Sequence, residues 1–278
     1  MNDAASRGNQ AGRQARHSTT MRAAARIGLV AYGVVHLVIG VIALQIAWGG
    51  GGGDASTSGA LKTIAQQPLG DTMLWVCAFG LAALTVWQLL TAIWGFQTEQ
   101  DDLARTRKRL SAAGRAVIYG VLAYSAARIA GGSGGSGSSD SKEEGLTASL
   151  LAAPAGRILV AGVGVAILAV AVSQIVRGLT EKFTHDLQGP ATSGSSGSTI
   201  LILGKIGYVG KGIAVGIVGI LFGWAAISYD PEKAGGLDDA LQTLRDQPYG
   251  PYLLTLVAIG LGAFGLFCFA WARYVKSR

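Results

Sequence analysis

Of the polar side chains inside otherwise apolar stretches of this chain, four are the candidates from which chemistry there would start: His36, Gln88, Gln174 and Lys211. An ionisable group within a bilayer is costly and is commonly kept for function. His36 therefore suits a proton relay or a contact to a quinone. The plainer alternative is a neutral imidazole hydrogen-bonded to a neighbouring helix. Haem held by two histidines would need a partner in another span, and His17 and His185 fall in a tail and a loop. Gln88 and Gln174 each follow a proline (Pro68, Pro154) by twenty residues, and Cys268 stands at the same distance from Pro248. A side-chain amide in hydrocarbon needs a partner, so the two glutamines read as glue between helices or as the lining of a polar path. Lys211 and Arg128 lie near span ends, where long side chains snorkel to the interface, and Arg177 reads as an interface anchor. No span carries Asp or Glu in its middle, which counts against ion-coupled transport.

Other constellations fail on spacing. Gly204-Lys205 lacks the glycine upstream and the Ser/Thr downstream that a phosphate-binding loop requires, and Gly162-Val163-Gly164 lacks a third glycine and lies within a span. No Gly-x-Ser-x-Gly elbow, HExxH or paired-carboxylate site is convincing. Asp238-Asp239 reads as the start of a short helix rather than a cation site. Cys77 and Cys268 both sit in apolar runs, where free cysteine acts as a small hydrophobe; neither a disulfide framework nor a metal site follows. No catalytic residue, cofactor or metal is expected, and the chain is not expected to be an enzyme.

The elements that hold these residues are membrane spans. Only 14% of the 278 residues are charged while 50% are hydrophobic, with 42 glycines and a mean hydropathy of +0.41. About 20 apolar residues at 1.5 Å each cross a hydrocarbon core of about 30 Å. Six runs meet that length or approach it: Ile27–Trp48, Met73–Phe96, Ala116–Ala130 (short, and reaching the interface through Ser111–Arg115 and Arg128), Ile158–Leu179, Ile206–Tyr229 and Tyr252–Tyr274. They form three pairs. The stretch opening the first, Arg26-Ile-Gly-Leu-Val-Ala-Tyr32-Gly33, returns as Gly114-Arg115-Ala-Val-Ile-Tyr119-Gly120 and as Lys205-Ile-Gly-Tyr-Val-Gly-Lys211-Gly212. Each pair is joined by an apolar-patterned segment ending in Pro-x-Gly, at Pro68, Pro154 and Pro248. That segment reads as a short interfacial helix, stopped by the proline and turned into the next span by the glycine; the alternative is an ordinary loop. The expected division is a disordered basic tail over 1–21, repeats over 22–100 and 101–185, a flexible linker over 186–203 (Ser193–Ser198 at its centre), and a third repeat over 204–278. The fold class is all-α: a polytopic bundle of three tandem hairpins with a pseudo-threefold arrangement. Gly28, Gly33, Gly120, Gly212, Gly216, Gly219 and Gly223 are expected to let helices approach closely.

Charge sets the orientation. Seventeen of the 23 lysines and arginines fall on the side that carries both chain ends, and six on the other. The positive-inside rule then places both termini in the cytoplasm and the chain in a bacterial plasma (inner) membrane. The net charge of +7 reflects this topology and anionic lipid at the inner face, not nucleic acid. The first apolar run is late and long, so it is expected to remain as a span rather than serve as a cleaved signal.

The sequence Ala25-Arg26-Ile-Gly28-Leu-Val-Ala-Tyr32-Gly33-Val-Val-His36-Leu-Val-Ile-Gly40, with its Pro-x-Gly segment and second span, resembles the repeat unit of the DUF1206 membrane proteins of bacteria, common in actinobacteria. The resemblance covers residues 22–276. The second copy departs from it with Arg115 and with Ala123 at the histidine position, and the third with Lys211 at the tyrosine position and Val215 at the histidine position. The resemblance implies three two-span repeats, six helices and a membrane location, and brings no activity with it. The reading from sequence is therefore a non-enzymatic scaffold or modulator of membrane partners, with the lipid bilayer, a membrane-protein partner or a second copy as what it contacts. The alternative is a small channel or transporter with a path along the pseudo-threefold axis, lined by His36, Gln88, Gln174 and tyrosines.

Overall fold

The computed structural model describes residues 19–49, 53–95, 101–132, 147–149, 151, 156–187 and 194–274. Six helices are long and apolar enough to cross a membrane. They belong to α1 (Thr19–Ala47), α3 (Gly70–Trp94), α4 (Asp102–Ala130), α5 (Gly156–Leu179), α6 (Gly194–Ser228) and α8 (Gly250–Arg273). Between α1 and α3 lies the short α2 (Thr57–Ala65), and between α6 and α8 the short α7 (Leu237–Arg245). The chain is a multi-pass helical membrane protein.

Three boundaries differ from the sequence reading. Helix α1 begins at Thr19, inside the segment expected to be a tail; residues 1–18 lie outside the described residues. Helix α4 runs for 29 residues, so the short apolar run Ala116–Ala130 is only its far half, and its basic near half continues the same helix. Helix α6 begins at Gly194 and runs through part of the expected linker. Tertiary packing explains that last extension: Ile200 is buried, and the ring of Phe183 occupies the place where a Cβ on Gly204 would sit, 2.4 Å away. The expected Gly/Ser linker over 131–139 falls mostly outside the described residues.

The joints before α3 and α8 are short helices, as the apolar spacing predicts, but the turns work differently. The left-handed residue is the middle one of Pro-x-Gly: Leu69 has φ 64° and Tyr249 φ 61°, and both are exposed. The glycines serve close approach instead. A Cβ on Gly250 would fall 1.8 Å from the carbonyl oxygen of Arg245, and one on Gly70 2.4 Å from that of Ala65. In the second repeat the proline lies outside the described residues.

The spans pack in a sequence of neighbours: α1 against α3 and α8, α3 against α4, α5 against α6, and α6 against α8. Among the described residues α4 and α5, the two spans of the second repeat, scarcely touch. Outward faces carry large apolar residues such as Val117, Ile158 and Leu256, as a lipid-facing surface should. The interior is built from small residues and rings. Gly28 and Gly80 meet where α1 crosses α3, and Gly210 and Gly260 meet where α6 crosses α8, each so closely that a Cβ would overlap the opposing backbone. Gly33 packs on the Gly265 carbonyl of α8, and Gly212 and Gly219 pack on α5. Gly120 and Gly216 have only ordinary contacts at their Cβ directions, and that of Gly223 faces open space. The close-packing expectation therefore fails for these three side-chain directions, although the backbone nitrogen of Gly223 is itself the near neighbour of Gly164.

The side of the bundle bearing α2 and α7 is closed by polar ties. Asp238, in the first turn of α7, accepts from the Ala55 N–H at 2.7 Å and from Gln242 at 2.6 Å, joining the third repeat to the first. Arg157 at the start of α5 donates to the Ala226 and Ile227 carbonyls, two of the last acceptors of α6. Trp48 donates to Thr255 at 3.1 Å and packs edge-on against Tyr252, as an interfacial aromatic does.

Candidate functional site

Tyr32 stands one residue before Gly33, Tyr119 one before Gly120, and Lys211 one before Gly212, so the three occupy the same place in the three repeats. The fold brings them together. The Lys211 ammonium lies 2.5 Å from the Tyr32 hydroxyl and 4.0 Å from the centroid of the Phe264 ring. The Tyr32 and Tyr119 rings meet edge to face with centroids 5.2 Å apart. Lys211 therefore does not snorkel outward. It points into the bundle, where aromatic faces and a phenol replace the water that an ammonium would otherwise keep.

His36 lies one turn along α1 from Tyr32 and is buried, its ring 4.3 Å from that of Tyr32 and 4.9 Å from that of Phe264. Its Nδ1 is 2.9 Å from the Tyr32 carbonyl. A carbonyl only accepts, so Nδ1 carries the proton and Nε2 is the acceptor of the neutral ring. The hydrogen bond stays within the histidine's own helix and does not reach a neighbouring one.

These residues line a cavity of about 300 Å³. Toward the end that bears the chain termini it is walled by Arg115 and Tyr119 of α4, Gln174 and Arg177 of α5, Tyr208 of α6 and Trp271 of α8; toward the other end it reaches Thr57 and Leu237, the first residues of α2 and α7. Ile118 and Val170, on the two spans that scarcely touch, also line it, and each is 53% exposed. The cavity thus reaches the lipid-facing surface between α4 and α5.

At the terminal end the guanidinium of Arg177 pairs with Asp186 and lies 5.2 Å from the centroid of the Tyr208 ring. Asp186 is held there by the 3-10 turn Lys182–Asp186, pinned by the buried Phe183 stacked on Tyr208 and by the Lys205–Glu181 ion pair at 2.6 Å. Three cationic side chains face the cavity and one carboxylate offsets them at Arg177. Among the described residues no group of three or more His, Cys, Asp or Glu is placed to hold a metal ion.

Of the four polar positions singled out from sequence, His36, Gln174 and Lys211 line this cavity and Gln88 does not. Gln88 is buried on α3, and its repeat counterpart Cys268 is buried on α8. Arg177 reaches the cavity and is more than an interface anchor, whereas Arg128 lies exposed beside its own Tyr124, as a snorkelling residue would. Arg115, Tyr119, Tyr208 and Trp271 were not singled out as one site. The signal for Tyr119 was the echo itself, since it precedes its glycine as Tyr32 and Lys211 precede theirs.

Membrane hairpins repeated in tandem, with a polar cavity among them, define an integral membrane protein of the internal-repeat class. The profile of the Domain of Unknown Function DUF1206 matches the chain three times, over residues 27–95, 110–181 and 206–275, and the chain belongs to that family. The resemblance seen in the repeat unit thus holds for all three copies. A protein of Bacillus subtilis (strain 168) described as uncharacterized protein YxxB is 29% identical over 245 residues, spanning 87% of this chain and 86% of the relative. No solved structure matches.

Proposed function

We propose that this protein takes an amphiphilic molecule from the bilayer into its central cavity, entering between α4 and α5, and so belongs to the transport and carrier class rather than to the scaffolds. The supporting observation is a polar, cation-bearing cavity that reaches the lipid-facing surface between α4 and α5, which scarcely touch among the described residues. Membrane interiors are normally built from small residues and dispersion contact, because every polar group there needs a partner. A cavity carrying a lysine, two arginines, three tyrosines and a glutamine is costly to maintain for packing alone. Three cations, an amide and three phenols surround the single imidazole of His36, a set suited to holding a polar head, and this favours binding over enzymatic turnover.

In this reading the protein lies in the bacterial plasma membrane with both ends in the cytoplasm, following the distribution of lysine and arginine. The terminal end of the cavity, with Arg115 and Arg177, then lies in the cytoplasmic leaflet. A pseudo-threefold relation between the hairpins is consistent with the meeting of Tyr32, Tyr119 and Lys211, with the second hairpin opened relative to the others.

The test is photo-crosslinking in reconstituted vesicles with phospholipids that carry the reactive group in the head or in the tail. Head-group labels are expected on peptides containing Arg115–Leu122 and Val170–Arg177, and Ile118→Trp, which fills the opening, is expected to suppress them. Labels confined to outward residues such as Ile158 and Leu256 would rule the reading out.

A further inference from the structure

The terminal end of the cavity carries three donors that no described residue answers. The Nε of Arg115, the Nε of Arg177 and the Nε1 of Trp271 are buried without a hydrogen-bond partner among the described residues. All three side chains line the same cavity. Buried donors are nearly always partnered, and leaving one unmade forfeits its full desolvation cost. Here they converge from three helices, α4, α5 and α8, so no local distortion of one element accounts for them. Their chemistry is one-sided as well. Guanidinium and indole N–H groups donate and cannot accept.

We propose that Arg115, Arg177 and Trp271 form the recognition site for a phosphate-type anion, the head of the amphiphile that the cavity admits; the inference rests on the proposed function above. A phosphoryl group is rich in acceptors and presents several oxygens at once, whereas a neutral zwitterionic head would bring its own cation toward two arginines. The planar guanidinium fork matches phosphate oxygens, and the match is charge-assisted. Asp186 occupies one side of Arg177, which fixes that guanidinium and leaves its Nε to the ligand. Gln174, one turn before Arg177 on α5, adds an amide donor at the same wall. The cavity volume of about 300 Å³ equals about ten water volumes, enough for a phosphoryl head and too little for a whole lipid, so the chains remain in the bilayer through the α4–α5 opening.

The experiment is native mass spectrometry of the full chain released from nanodiscs containing phosphatidic acid and phosphatidylcholine, with and without inorganic phosphate. The wild-type protein is expected to retain phosphatidic acid selectively. Arg115→Gln is expected to lower that retention about tenfold, and Trp271→Phe, which keeps the ring and removes only the N–H, to lower it by a smaller factor. Arg115→Lys, which keeps the charge but loses the fork, is expected to fall between wild type and Arg115→Gln. Selective retention that inorganic phosphate does not displace supports a lipid head group as the source. Displacement by inorganic phosphate supports a soluble phosphate compound at the same site. Equal retention of both lipids, unchanged in Arg115→Gln and Trp271→Phe, overturns phosphate recognition while leaving uptake of an amphiphile standing. Retention of neither lipid, with no response to phosphate, overturns both.

Discussion

At Lys211 the protein holds a cation at the centre of a membrane bundle with a phenol and two aromatic faces for company. Replacing a buried charge by an apolar residue of similar shape is often stabilising. Lys211→Met is therefore expected to raise the thermal stability of the purified protein by about 1–2 kcal/mol while weakening ligand retention. Destabilisation by that substitution, seen in a melt, would mean that the ammonium serves packing and not a ligand. Asp238 behaves differently, being outside the spans. Burial pushes its carboxyl above the ordinary aspartate range, and Asp54 adds to the push, while the bonds from Ala55 and Gln242 pull the other way. A carboxyl raised in the folded state contributes stability that is full below the unfolded value and is lost as pH rises through the folded one. The tie between α7 and residues 53–56 is thus expected to tighten on going from neutral to acid pH. Hydrogen exchange of the Ala55 region, corrected for the intrinsic rate, reads this directly, and Asp238→Asn should flatten the dependence. Faster opening at acid pH would contradict it. Residue identity in the sequence drew attention to His36, Gln174 and Lys211 because each breaks an apolar run. It could not show that Lys211 faces inward, since a lysine in the first turns of a span can reach either the interface or the core; only the rotation of α6 against α8, set by Gly210 on Gly260, decides that.

Elements in this fold are spaced by glycine, and the crossings grade the glycines. Gly28→Ala and Gly210→Ala place a methyl within 2.2 Å and 2.5 Å of opposing backbone atoms, and the helices must separate to admit it. Each is expected to cost about 2 kcal/mol or more in stability, by the overpacking range. Gly120→Ala and Gly216→Ala meet only ordinary contacts and are expected to be neutral or to gain up to about 1 kcal/mol from helix propensity. Thermal melts of the four variants in detergent check the ordering, and an equal loss at all four would refute the assignment of crossings. Span length and Pro-x-Gly punctuation made the spans and the short helices α2 and α7 readable from sequence. The turn mechanism was not readable there, because Leu69 and Tyr249 adopt a conformation that glycine usually fills while Gly70 and Gly250 are needed for approach. The start of α6 was hidden for a similar reason. Its Gly/Ser composition suggests a linker, and only the packing of Ile200 and Phe183 outweighs that local preference.

For the whole molecule, three hairpins were legible from three copies of one stretch, and the opening between α4 and α5 was not. Repetition predicts equivalent contacts in each hairpin, whereas the second hairpin alone lacks its own internal seam among the described residues. The cavity follows from that difference, since closing α4 on α5 would bring Arg115 and Arg177 together with one carboxylate to offset them. Orientation can be checked independently: with Cys77 and Cys268 buried, Gln67→Cys is expected to react with an impermeant thiol reagent on intact cells, and Arg107→Cys only after permeabilisation. The most direct measurement is a cryo-EM map of the full protein in nanodiscs made from native lipid. An elongated density entering between Ile118 and Val170, with its head against Arg115 and Trp271, is what a lipid-fed cavity requires. A closed α4–α5 seam around a cavity without such density would contradict it.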